Sequence, residues 1–78
     1  MLEALVALRV RPNKTVEFKK DLMVLSGVRE VLYVTGEYDF LIRVEADNTF
    51  ELSRKIEELR CRDGVDKTVT FIVLEKLK

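Results

Sequence analysis

Apolar residues in this chain follow two periods. From Leu2 to Val10 the run LEALVALRV is apolar at consecutive positions, as in a strand covered on both faces, and it predicts a central strand. Pro12 and Asn13 break it. Asn13 is placed to cap a helix in which Phe18, Leu22 and Leu25 recur at i, i+4 and i+7, and Ser26 with Gly27 ends that helix. Residues 28–35 and 38–46 are rich in β-branched and aromatic side chains, and Gly36 with Glu37 between them fits a two-residue type II′ hairpin. That loop sets Glu30 against Arg43, whereas a four-residue loop would set it against Glu45, a like-charge pair. Asn48 then reads as an N-cap with Glu51 as its capping-box partner. Leu52, Ile56 and Leu59 form one helical stripe, and Glu51 and Lys55 an outward i,i+4 pair. Arg62, Asp63 and Gly64 make a turn. Residues 65–74 alternate as a last strand, and EKLK is polar enough to fray.

The order strand, helix, strand, strand, helix, strand predicts an α+β, ferredoxin-like βαββαβ sandwich, with both helices on one face of an antiparallel sheet. Right-handed crossovers put the first and third strands in the middle. One sheet face then carries Val31, Tyr33, Tyr38, Phe40, Ile42 and Val44 under the helices. The other carries Leu32, Val34 and Leu41, with either Leu5 and Ala7 or Ala4, Val6 and Leu8 from the first strand. Such a surface is too apolar to stay wet, because large contiguous patches are uncommon on monomers. The expectation is a homodimer through this face. Burying roughly 500 Å² per subunit at ~25 cal/mol/Å² gives on the order of 12 kcal/mol before association costs.

Composition narrows the chemistry. With 78 residues, a single domain and no separate linker are expected. Fourteen basic residues balance 14 acidic ones, so no net field draws nucleic acid or an anionic membrane. Arg9, Arg11, Lys14, Lys19 and Lys20 read as solvated ends and helix surface, being interrupted by Glu17 and Asp21. No apolar run approaches the ~20 residues of a membrane-spanning helix, and no signal peptide is visible at MLEAL. A lone cysteine, Cys61, suits a reducing, cytoplasmic setting. The chain has no histidine, which leaves Cys61 without its usual activating base and removes the commonest zinc ligand. No phosphate-cradling loop, metal-ligand spacing or nucleophile and base pair is present, so a non-enzyme without a cofactor is expected.

Four positions stand out. Asp39 is the only acid in the apolar middle of the hairpin, and reads either as a turn residue bonded to nearby amides or as an acceptor for a ligand's ammonium. Gly36 supplies the turn, or lets backbone amides approach a carboxylate unobstructed. Thr68 and Thr70 point to one face of the last strand, as plain strand formers or as a polar wall for a small ligand.

The stretches VTGEYDFL at 34–41 and GVDKTVT at 64–70 carry a resemblance. They are similar to the effector-binding (RAM) domain of the Lrp/AsnC transcriptional regulators, and the likeness runs from Leu2 to the end. The chain opens directly at the first strand, so it resembles the stand-alone form without a helix-turn-helix domain, which is not expected to bind DNA directly. The resemblance implies a homodimer, rings of dimers, and an amino-acid effector held between dimers, in a cytoplasmic module acting on transcription through other Lrp/AsnC-type regulators. It implies that Gly36 and its neighbouring amides meet the effector's carboxylate, that Asp39 holds its ammonium or polar side chain, and that Thr68 and Thr70, with Thr35 and Tyr38, line the pocket. The alternatives are a purely structural oligomerisation domain and a small dimeric αβ-barrel enzyme.

Overall fold

The computed structural model describes residues 1–78. Its elements are β1 (Leu2–Val10), a 3-10 turn (Pro12–Lys14), α1 (Thr15–Val24), β2 (Val28–Tyr33), β3 (Phe40–Ala46), α2 (Thr49–Arg60) and β4 (Val65–Ile72). They form one antiparallel sheet in the order β2-β3-β1-β4, the expected βαββαβ arrangement with the first and third strands central.

Alternation on those two strands builds the core. Ala4, Val6, Leu8 and Val10 of β1 and Phe40, Ile42, Val44 and Ala46 of β3 are buried together with Phe18 and Leu22 of α1 and Leu52 and Leu59 of α2. Phe18 meets Phe40 with ring centroids 5.1 Å apart, a tilted contact that adds to burial. Both helices therefore cover the even-numbered side of β1. Its odd-numbered side stays open in the single chain: Leu5 is 38%, Leu32 47%, Leu41 41% and Phe71 58% exposed.

Register follows the charge argument, with Glu30 opposite Arg43. The hairpin end does not. The ladder closes with the Val34 N–H donating to the Asp39 carbonyl at 2.8 Å, and residues 34–39 lie outside both strands, so the tight two-residue turn gives way to a wider loop. Local corrections follow the same logic of competing partners. Asn13 sits inside the 3-10 turn, and Lys14 holds the N-cap position of α1 with no side-chain cap bond. Asn48 does cap α2, its Oδ1 accepting the Glu51 N–H at 2.9 Å, but the Glu51 carboxylate accepts from the Asp47 N–H instead of that of Asn48. Lys55 turns inward and donates to the Glu45 carbonyl at 3.0 Å, leaving the expected Glu51 partner. β4 stops at Ile72, two residues short of the expected end, although the Val73 N–H still donates to the Glu3 carbonyl.

Asp63 ties the two crossovers together. It accepts from Lys14 at 3.0 Å and Arg11 at 3.2 Å, while the Arg11 N–H donates to the Gly64 carbonyl at 2.8 Å. Gly64 has φ +96°, and a Cβ there would lie 2.5 Å from the Lys14 Cβ, so the close approach requires glycine. Hydrogen bonding from Lys14, then its charge, holds the Asp63 carboxyl below its ordinary value. A depressed carboxylate contributes stability above its unfolded pKa and loses it as pH falls through the folded value. The Asp63→Asn variant should therefore melt a few degrees below the wild type at about pH 7, and the gap should close by about pH 2. Equal melting at both pH values would remove Asp63 from the clamp.

Candidate functional site

The hairpin end brings four of the six candidate residues together. Thr35, Gly36, Tyr38 and Asp39 all lie in the loop joining β2 to β3. Gly36 has φ +135°, with nothing within 4 Å of where a Cβ would be. The N–H groups of residues 35–38 have no partner within the chain, whereas those of Val34 and Asp39 do. The loop thus presents a row of free donors.

Asp39 is the pin of this loop. Its N–H donates to the Leu8 carbonyl at 2.8 Å, and Leu8 is the residue already paired with Phe40. Two successive residues at the start of β3 thus address one β1 residue, the pattern of a β-bulge. The Asp39 Oδ2 then accepts the Val10 N–H at 2.8 Å, standing in for the backbone carbonyl that the departing strand no longer supplies. Backbone donors point along the sheet, so this oxygen lies near the sheet plane. Simple parity would place Asp39 on the open face with Val34 and Leu41; the bulge overrides it. The other carboxylate oxygen makes no bond within the chain. Lys67 of β4 places its ammonium 5.5 Å from the Tyr38 ring centroid.

Thr68 and Thr70 lie elsewhere. They pair with Leu8 and Val6 across β1 and so share the helix side of the sheet, where they line a groove of about 450 Å³ against α2 with Ser53, Ile56 and Arg60. Gly36 and Asp39 are not among the residues that line this groove. A single subunit does not bring Gly36 and Asp39 together with Thr68 and Thr70.

The open face has its own depression, about 340 Å³, walled by Leu5, Ala7, Leu32, Leu41 and Phe71. The structure thus chooses Leu5 and Ala7 as the open set of β1, a choice the doubly apolar sequence left undecided. At the far end of the same face Arg43 bonds Glu3 at 3.1 Å and Glu30 at 3.5 Å, and Arg29 meets Glu45 at 3.5 Å. No group of three or more metal-ligating side chains is present, and no helix is long and apolar enough to cross a membrane.

Comparisons with known proteins agree with this fold. The family model for the Lrp/AsnC ligand binding domain matches residues 3–78. Among curated relatives, homocitrate synthase of Sulfurisphaera tokodaii is 39% identical over 77 residues, 97% of this chain. Homocitrate synthase of Saccharolobus solfataricus is 38% identical over the same length. The chain spans only 17% of the length of these relatives. Among solved structures, TTHA0845 from Thermus thermophilus superposes with a TM-score of 0.90 at 28% identity, covering 100% of this chain and 99% of that one. The transcriptional regulator NMB0573 from Neisseria meningitidis, solved as an L-Met complex, has the same fold, with a TM-score of 0.88 at 21% identity over 99% of this chain and 52% of that one.

Proposed function

The chain belongs to the Lrp/AsnC ligand-binding domain family, and we propose that it is a regulatory module that binds an amino acid or related metabolite between subunits, without catalysing a reaction itself. One observation carries this reading: four free amides at residues 35–38 stand beside a carboxylate, Asp39, with one oxygen unused. Donors and an acceptor side by side match the two ends of a zwitterion. Gly36 and its neighbours would take the carboxylate and Asp39 the ammonium, with Thr35 and Tyr38 at the rim. Thr68 and Thr70 would join only from another subunit, which ties binding to assembly. The L-Met complex of NMB0573 supports an amino acid as the ligand class.

Assembly would start at the open sheet face. Its apolar centre, walled by Leu5, Leu32, Leu41 and Phe71, would pack on the same face of a second copy, because large exposed apolar patches are uncommon on monomers. Dimers would then associate through the hairpin and α2 sides into rings. An effector contacting two dimers stabilises one assembly by its differential affinity. The output would be transcription, through other Lrp/AsnC-type regulators.

A second reading concerns the output alone. The identity to homocitrate synthases exceeds that to the regulator NMB0573, 39% against 21%. This favours a module that reports an amino acid to a homocitrate synthase. The first experiment is common to both: melting and sedimentation of the protein against the standard L-amino acids. The expected result is a selective rise of several degrees with a change in assembly mass; no rise with any amino acid would leave a structural oligomerisation domain. Pull-down with a Lrp/AsnC-type regulator or with a homocitrate synthase from the same cell then separates the two outputs.

A further inference from the structure

Two like-charge pairs face each other directly across this sheet, and the chain neutralises only one of them. Glu3 opposes Glu45 across β1 and β3, an unfavourable arrangement, and Arg43 and Arg29 relieve it. Arg9 opposes Lys67 across β1 and β4, and neither takes part in any ion pair of the chain. Both are exposed, and Arg9 reads from sequence as solvated surface.

Their place in the fold argues for more. Lys67 leans across to the Tyr38 ring, 5.5 Å from its centroid, a contact that directs its ammonium toward the hairpin loop. Arg9 immediately precedes Val10, whose N–H is bonded by Asp39, so the guanidinium, the ammonium and the unused Asp39 oxygen share one end of three adjacent strands. Strands lie about 4.8 Å apart, a spacing over which the two charged groups of an α-amino acid can be met at once. A guanidinium fork binds a carboxylate in a bidentate fashion and an ammonium adds a point charge.

We propose that Arg9 and Lys67 form a carboxylate-binding subsite that, with the loop amides, holds the anionic end of the effector opposite Asp39. This rests on the effector reading above for its ligand and on the unrelieved cation pair for its position. It selects compounds with a free carboxylate over the corresponding amides.

The test uses the full chain and two probes. Acetate alone, followed by NMR, should give saturable shifts at the Arg9 Nε–H and the amides of residues 35–38, and R9Q/K67Q should abolish them, while exposed Arg54 moves linearly or not at all. Amino acids that raise the melting temperature should lose about tenfold or more in affinity in R9Q/K67Q, and their amides should already be weak on the wild type. Non-saturable acetate shifts equal to those of Arg54 overturn the subsite. Amino acids that bind wild type and R9Q/K67Q alike overturn it while leaving the effector reading intact. Saturable acetate binding with no amino acid bound upholds the subsite and removes the effector reading. A halved assembly mass in R9Q/K67Q without acetate shifts on the wild type assigns the two cations to a second copy's carboxylates and overturns the proposal.

Discussion

Asp39→Ala is expected to lower the melting temperature by about 5–15 °C, whereas Asp39→Asn should keep most of the wild-type value. The alanine leaves the Val10 N–H, now bonded at 2.8 Å, without an acceptor at a strand whose core side is buried. An unpaired buried donor costs about 1–3 kcal/mol, and each kcal/mol is worth roughly 4–8 °C in a domain of this size. Asparagine retains an acceptor oxygen in the same place and loses only the charge. The pair of variants therefore separates two roles that one residue carries. If Asp39 also receives a ligand ammonium, the asparagine variant melts near wild type but no longer responds to the amino acid. A variant that melts normally and still responds would confine Asp39 to the bulge; an alanine variant as stable as wild type would remove even that role.

The second large effect concerns the open sheet face. Leu41→Lys should convert the assembly to folded monomers, seen in sedimentation as a fall to the mass of one chain with an unchanged far-ultraviolet spectrum. Leu41 is 41% exposed in the single chain and walls the apolar depression with Leu5, Leu32 and Phe71, so replacing it disturbs no core contact of the subunit. Against a second copy the ammonium would be buried unpaired, at about 3–5 kcal/mol, which weakens association by roughly a hundredfold to several thousandfold. If wild type and variant both sediment as monomers, the sheet face is not a dimer interface. If both remain dimers, the contact lies elsewhere, with the α2 groove next to be tested.

How much of this was legible in the sequence depends on the distance over which each feature acts. Helix stripes such as Phe18 and Leu22 or Leu52 and Leu59 are fixed by neighbours three or four residues away, and they read correctly. The Glu30 and Arg43 register also read correctly, since one charge pair sufficed to choose between two loops. The caps were half legible: Asn48 found its Glu51 amide, whereas Asn13 lost to a 3-10 turn begun by Pro12. The bulge at Asp39 was not legible. Its acceptor role depends on Val10, 29 positions away, and parity counting along one strand has no term for a second strand's unsatisfied amide.

Periodicity and composition are properties of the chain alone, and they were enough to establish the order of elements, the side of each helix that is buried, the central place of β1 and the absence of histidine chemistry. It took the folded sheet to settle which set of β1 residues is left open, that Thr68 and Thr70 line a groove apart from the hairpin loop, and that Arg9 and Lys67 face each other without a counter-charge. Each of these is a pairing between strands distant in sequence. The partner that satisfies or fails to satisfy a polar group is set by three-dimensional register, not by its neighbours in the chain.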